Sequence, residues 1–76
     1  MRASELQERI VRALVRSSGG SSRRWRIVIG PIRLHDTRTH PHCNWSVAPS
    51  GAVREVAEVE RLLDTIRLEY PIVGAG

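Results

Sequence analysis

Residues 25–34 decide the fold class of this chain, and they read Trp25-Arg26-Ile27-Val28-Ile29-Gly30-Pro31-Ile32-Arg33-Leu34. β-Branched residues behind a tryptophan favour a β-strand. Trp25, Ile27 and Ile29 alternate along the stretch, as residues on the buried face of a sheet do. A proline cannot donate a hydrogen bond to a neighbouring strand, so Gly30-Pro31 should interrupt the pairing. We predict one kinked strand over residues 25–34; the alternative is a tight turn at Gly30-Pro31 that gives a third short strand.

The partner of this strand should follow a polar turn. Residues 35–42 are rich in turn formers and suit the tip of a hairpin. Apolar residues then alternate with polar ones over residues 43–48, which predicts a second strand. In this register Cys43 and Trp45 face the core and Asn44 faces solvent.

One helix is predicted on each side of the hairpin. Leu6, Ile10 and Leu14 recur at helical spacing and predict a helix over about residues 5–16. A longer apolar stripe predicts a helix over about residues 52–69. The expected fold is α+β in the order α-β-β-α, with two helices packed on one face of a small antiparallel β-hairpin sheet. The predicted core consists of Leu6, Ile10, Leu14, Trp25, Ile27, Ile29, Trp45, Val47, Val56, Val59, Leu63 and Ile66.

The length of the chain predicts a single small domain over residues 1–76. Serines and glycines predict a flexible loop over about residues 17–23, and residues 72–76 form a C-terminal tail. A domain of this size buries only about 60% of the surface that its unfolded chain exposes. A two-stranded sheet is also marginal by itself, so self-association as a homodimer is one way to complete the core.

Several classes of protein are disfavoured by composition. No apolar run approaches the roughly 18 residues that a membrane span needs, and acidic residues stand where a signal peptide would be apolar. The one cysteine cannot form an internal disulfide. We expect a cytoplasmic protein with no contact with a membrane and no cofactor.

Basic residues are concentrated in the first half of the chain. All 12 are arginines; the residues up to Leu34 carry a charge of +6, whereas those that follow carry −2. Glu5 and Glu8 are placed to pair with Arg9 and Arg12 one helical turn on. Arginines bind phosphate or carboxylate groups well, although a coding bias against lysine would leave the same composition. The candidate polyanion-binding residues are Arg9, Arg12, Arg16, Arg23, Arg24, Arg26 and Arg33.

The tryptophan among these arginines has two interpretations. Trp25 within Arg-Arg-Trp-Arg resembles a stacking platform for bases, with phosphate anchors beside it. The chain has few other large side chains to fill a core, however, so a buried Trp25 is the other interpretation. Nucleic acid is therefore a possible partner.

The hairpin tip contains residues that suit metal binding or catalysis. His35, His40, His42 and Cys43 lie within nine residues, and imidazole and thiolate both suit zinc. Their spacing differs from the paired ligands of zinc fingers, so metal binding is our third hypothesis. A thiol nucleophile beside a histidine is the basis of some enzymes, but a core-facing Cys43 and a chain too short for a deep pocket predict no enzyme activity.

Part of the chain resembles a known group of proteins. The resemblance rests on His40-Pro41-His42-Cys43-Asn44-Trp45, on Ala48-Pro49-Ser50-Gly51 and on the helix up to Glu69-Tyr70-Pro71. This part of the chain is similar to small uncharacterised bacterial proteins that share a His-Pro-x-Cys-Asn-Trp segment running into a valine-rich helix that ends in proline. The resemblance covers roughly residues 35–73. It implies a self-contained α/β domain and transfers no catalytic residue.

Taken together, these patterns favour a non-enzymatic protein-interaction or self-associating module. A protein partner or a homodimer is the expected partner. Polyanion binding through the arginine-rich half is the alternative, and a metal site at the hairpin tip comes third.

Overall fold

The computed structural model describes residues 1–76 and contains three helices and a two-stranded antiparallel sheet. In chain order the elements are α1 (Ala3–Ser18), α2 (Ser22–Ile29), β1 (Arg33–Leu34), β2 (Trp45–Ser46) and α3 (Val53–Glu69). The α+β class and the order helix, strand, strand, helix are confirmed, with α2 as an additional helix between α1 and β1. None of the helices has both the length and the apolar character needed to cross a membrane.

The predicted strand over residues 25–34 is wrong in its first half, which is the helix α2. Trp25, Val28 and Ile29 are buried at a spacing of three and four, whereas the side chain of Ile27 is 60% exposed. An apolar run this short fits a strand or a buried helical turn equally well by its periodicity. Its neighbours in space therefore decide its conformation, and α2 packs against α1 and α3.

Residues at both ends of α2 explain its limits. The hydroxyl of Ser21 accepts a hydrogen bond from the backbone N–H of Arg24 at 3.1 Å and caps the first turn. Gly30 ends the helix with φ at 65°, a conformation that favours glycine. Gly30-Pro31 is thus a helix end, and the alternative of a third short strand is also wrong. The expected loop over residues 17–23 shrinks to 19–21, because its outer positions are helical.

The core lies mainly between the helices, with α1 packed against both α2 and α3. Of the predicted core residues, Ile27 is exposed and Val56 is only half-buried; the others are buried. Val11, Val28 and Val73 are additional core residues. The buried apolar residues are Leu6, Ile10, Val11, Leu14, Trp25, Val28, Ile29, Trp45, Val47, Val59, Leu63, Ile66 and Val73.

The sheet is a short hairpin. Arg33 pairs with Ser46 and Leu34 with Trp45. The ladder extends by one hydrogen bond, 2.7 Å long, from the backbone N–H of His35 to the carbonyl oxygen of the residue that precedes Trp45. Each strand is only two residues long, so the hairpin depends on contacts outside the ladder.

Asn44 supplies those contacts, and its predicted outward orientation is wrong. The residue is 7% exposed. Its side-chain amide donates to the carbonyl of Val73 at 2.7 Å and accepts from the N–H of Val73 at 2.9 Å. Its backbone N–H donates to the carbonyl of Pro71 at 3.0 Å. The side chain of Asn44 therefore binds the backbone of the C-terminal tail much as a neighbouring strand would.

The tail also joins the start of the chain. The N–H of Gly74 donates to the carbonyl of Met1 at 2.8 Å, and its carbonyl accepts from the N–H of Ala3 at 2.9 Å. Ser4 donates its N–H to the carbonyl of Gly76 at 2.7 Å. The first amides of a helix have no partner within the helix, and here the tail satisfies two of them. The tail is thus hydrogen-bonded to the fold through Val73, Gly74 and Gly76, and Val73 is buried.

The assignment of α2 as a helix can be tested by two truncations. Val28→Ala removes two buried methyl groups and should lower the free energy of unfolding by about 2 kcal/mol. Ile27→Ala changes an exposed side chain and should change it by less than about 0.5 kcal/mol. Urea denaturation followed by circular dichroism measures both. The opposite order would mean that residues 25–29 form the alternating strand instead.

The contribution of Asn44 can be tested with a variant of similar shape. Asn44→Leu leaves both backbone groups of Val73 buried without a partner, which should cost about 3 kcal/mol in unfolding free energy. Ser46→Ala is the control in the same hairpin, because it removes only one half-buried hydrogen bond, to His35. An equal loss of stability in the two variants would show that the amide of Asn44 has no special part in holding the tail.

Candidate functional site

Three arginines of the predicted basic set line a groove between α1 and α3. Arg9, Arg12 and Arg16 lie on one side of α1, because they are separated by three and four residues. The groove has a volume of about 330 Å³. We call it the α1–α3 groove, and its lining residues are Arg9, Arg12, Ala13, Arg16, Leu62, Thr65, Ile66, Glu69 and Tyr70.

One end of the groove is fixed to the hairpin through Tyr70. The guanidinium of Arg9 donates to the hydroxyl of Tyr70 at 3.3 Å and lies 5.3 Å from the centre of its ring. The backbone carbonyl of Tyr70 accepts a hydrogen bond of 2.7 Å from the indole N–H of Trp45. Arg9 is thereby held at the groove wall by a hydrogen bond and a cation–π contact.

Arg12 and Arg16 supply the available charge of the groove. Both side chains are exposed, and neither has a carboxylate oxygen within 4.0 Å. Beneath them the floor is apolar: Ala13 and Leu62 are half-buried, and Ile66 is buried. The groove thus combines unpaired cations with an apolar surface, with one carboxylate, Glu69, at its rim.

The α3 wall of the groove was not among the predicted site residues. Leu62, Thr65 and Glu69 follow one another at three and four residues, beside the apolar stripe that defines the core face of the helix. This spacing, beside the core-facing stripe, is the only feature of the sequence that indicates the α3 wall of the groove. Nothing in the sequence indicates that it lies opposite the arginines of α1.

Arg24 is engaged in an ion pair between α2 and α3. Its guanidinium donates two hydrogen bonds to the carboxylate of Glu55, at 2.9 and 2.7 Å. The same carboxylate accepts from the backbone N–H of Ala52 at 2.9 Å. Arg24, and secondly the amide of Ala52, lowers the pKa of Glu55 from its usual 4.5 to about 2. The charge of Arg24 is therefore neutralised by Glu55 at the protein surface.

Arg26 makes the equivalent pair between α2 and α1. It donates two hydrogen bonds to the carboxylate of Glu8, at 3.0 and 2.9 Å. These bonds lower the pKa of Glu8, and the charge of Arg12 lowers it a little further. Glu8 thus pairs across the helix interface rather than with Arg12 along α1. Arg12 remains free for the groove as a result.

The remaining members of the basic set lie apart from the groove. Arg23 and Arg33 are exposed and have no carboxylate oxygen within 4.0 Å. Trp25, which could serve as a stacking platform only at the surface, is buried, and its indole N–H donates to the carbonyl of Gly19 at 2.8 Å. The structure therefore brings three of the seven arginines together, and no exposed tryptophan accompanies them.

A larger depression of about 470 Å³ lies where the turn between α1 and α2 meets α3. Two of its arginines, Arg54 and Arg61, come from the acidic half of the chain and were not among the predicted site residues. Most of its charges neutralise one another, since Arg61 lies 3.6 Å from Glu58, which also accepts a hydrogen bond from Ser18 at 2.9 Å. The volume is greater than that of the α1–α3 groove, but fewer charges are available to a ligand.

Two histidines of the hairpin tip stack on each other. The rings of His35 and His40 lie 4.4 Å apart between centres, at an angle of 22°. Nε2 of His35 is 2.8 Å from the hydroxyl of Ser46, and Nδ1 of His40 is 2.9 Å from the hydroxyl of Thr39. Each ring thus has a hydroxyl partner within the hairpin.

The other two candidate metal ligands do not complete a site. Cys43 is half-buried, and its Sγ lies 3.4 Å from the carbonyl oxygen of Trp45. His42 is exposed. No three histidine, cysteine, aspartate or glutamate side chains lie close enough together to hold a metal ion. Of the four predicted metal ligands, the structure therefore brings together only His35 and His40.

Comparisons of the chain with protein-family models, curated proteins and solved structures found no match. The resemblance of residues 35–73 to small bacterial proteins stays a prediction.

The Arg24–Glu55 pair makes stability depend on pH. Because the pKa of Glu55 is lowered on folding, its contribution is present above pH 4.5 and is lost as the pH falls towards 2. We expect Arg24→Gln and Glu55→Gln to flatten the acid side of a plot of melting temperature against pH. Arg23→Gln, which removes an unpaired neighbouring arginine, is the control. If it flattens the profile equally, overall charge and not the pair causes the acid loss.

Proposed function

We propose that this chain is a non-enzymatic protein-interaction module whose α1–α3 groove binds an acidic, partly apolar segment of a partner. The observation that carries the proposal is the position of Arg12 and Arg16, unpaired, above the apolar floor of the groove. Charged groups on a surface usually find a partner or face open water. Here two arginines flank apolar side chains that a ligand would cover.

The spacing of the arginines suits a helical ligand. Arg9 and Arg16 are separated by seven residues, or about 10 Å along α1. Acidic residues that recur every three or four positions on a partner helix have the same repeat. An amphipathic helix binds a groove of this kind through its apolar face, and charges at the rim select the partner.

The mixed character of the groove favours a protein ligand over a nucleic acid. Binding to single strands usually combines cations with exposed aromatic rings on which bases stack. Both tryptophans are buried, and the ring of Tyr70 faces the guanidinium of Arg9. Polyanion binding by the exposed Arg12, Arg16, Arg23 and Arg33 is the second candidate.

A labelled peptide tests the proposal. The probe is a labelled synthetic peptide that forms a helix and has glutamates and leucines spaced alternately three and four residues apart. Its binding is measured by fluorescence anisotropy at about 0.1 M NaCl. Arg12→Glu with Arg16→Glu should weaken its binding at least tenfold, which corresponds to about 1.4 kcal/mol. Arg23→Glu with Arg33→Glu changes the net charge equally outside the groove and should weaken it by less than about threefold.

The same variants distinguish the two candidates. A single-stranded oligothymidylate replaces the peptide in a parallel titration. Polyanion binding predicts that the oligonucleotide binds more tightly than the peptide and that both pairs of substitutions weaken it similarly. That result, or equal weakening of the peptide by both pairs, would contradict binding in the groove.

A further inference from the structure

We infer that the occupant of the α1–α3 groove is the outer face of α3 from a second copy of this chain, so that copies associate head to tail. The inference rests on the proposed function of the groove and names its partner. It comes from the charge and the exposure of one side of α3.

One exposed side of α3 carries acidic and apolar residues together, and Arg61 and Arg67 border it. We call it the outer stripe, and it consists of Val53, Ala57, Glu60, Asp64 and Leu68. All five residues are exposed, and Val53 and Leu68, at 88% and 86%, are the two most exposed large apolar residues of the chain. At 100° per residue the stripe spans a sector of about 80°.

The carboxylates of the outer stripe are unpaired. Neither Glu60 nor Asp64 has an arginine nitrogen within 4.0 Å, although Arg61 and Arg67 flank them on the helix. Arg61 lies 3.6 Å from Glu58 instead, and the guanidinium of Arg67 lies over the ring of Trp45, 5.8 Å from its centre. The fold thus leaves two neighbouring carboxylates free, as it leaves two neighbouring guanidinium groups free in the groove.

The two free pairs match in spacing. Glu60 and Asp64 are four residues apart on α3, and Arg12 and Arg16 are four residues apart on α1, so each pair spans about 6 Å along its helix. Leu68 follows Asp64 by one more turn and can reach the apolar floor once the charges meet. The outer stripe therefore has the acidic, partly apolar character that the groove requires.

The positions of the two surfaces on α3 determine the kind of assembly. The groove side of α3, which includes Leu62 and Glu69, lies about 150° around the helix from the centre of the outer stripe. Each copy thus presents the α1–α3 groove and the outer stripe on nearly opposite sides of α3. A contact between unlike surfaces is heterologous, and it continues into a ring or an open chain rather than closing as a two-fold dimer.

A charge exchange tests this contact with the full chain. The groove variant carries Arg12→Glu with Arg16→Glu, and the stripe variant carries Glu60→Arg with Asp64→Arg. Within either variant alone the two surfaces have like charge and should repel. In an equimolar mixture each groove meets an oppositely charged stripe, so association should return. Sedimentation equilibrium over a concentration series measures the mass, and thermal melting confirms that each variant is folded.

Specific results are expected. The parent chain should exceed its monomer mass of 8.5 kDa as concentration rises. That excess should decrease when NaCl is raised from about 0.1 M to about 1 M, because the Debye length falls from about 10 Å to about 3 Å. Each variant alone should remain at the monomer mass, and their equimolar mixture should again exceed it as concentration rises. Arg23→Glu with Arg33→Glu should associate like the parent.

Other results would overturn the inference, and they separate it from the proposed function. A parent chain that stays monomeric at every concentration, variants that associate like the parent, or a mixture that does not recover would each exclude the contact. If the acidic peptide still binds the groove in that case, the proposed function stands and only its occupant is wrong. If the chains associate by charge exchange but no foreign acidic peptide binds, the general proposal fails and the groove is specific for its own stripe.

Discussion

The side-chain amide of Asn44 is the contact that holds the hairpin and the C-terminal tail to each other. It satisfies both backbone groups of Val73 with hydrogen bonds of 2.7 and 2.9 Å in a buried position. A hairpin of two residues per strand has little stability of its own. The side chain of Asn44 bonds to the backbone of the tail as a neighbouring strand would. The tail and the hairpin therefore form a single unit, which also covers the start of α1.

One end of the candidate groove is bonded to this unit through Tyr70. Pro71 joins the tail to Tyr70, whose carbonyl accepts a hydrogen bond from the indole N–H of Trp45 and whose hydroxyl accepts one from Arg9. Asn44 and Trp45 are adjacent, so one short segment of the hairpin binds both the tail and the residue that follows α3. The position of Arg9 at the groove wall is therefore linked to a buried amide in the hairpin through two hydrogen bonds to Tyr70 and the peptide bond between Asn44 and Trp45.

The sequence predicted the α+β class, both long helices and most of the core, because their apolar periodicity extends over several turns. It failed at residues 25–29, where a short apolar run fits two periodicities. It also failed at Asn44, since alternation describes only the faces of a strand and a polar residue can be buried when the tail supplies its partners. For the basic surface, the sequence predicted that Arg9, Arg12 and Arg16 lie together on α1. It could not show that Arg24 and Arg26 form ion pairs with other helices.

Those two pairs have a consequence for how α2 forms. The helix has three arginines and no acidic residue, so its ionic contacts all reach other helices: Arg26 binds α1 and Arg24 binds α3. Eight residues are also too few for a helix to persist alone in water. Folding of α2 and its docking are therefore one event. In this part of the chain, secondary structure is a product of the tertiary contacts rather than a precondition for them.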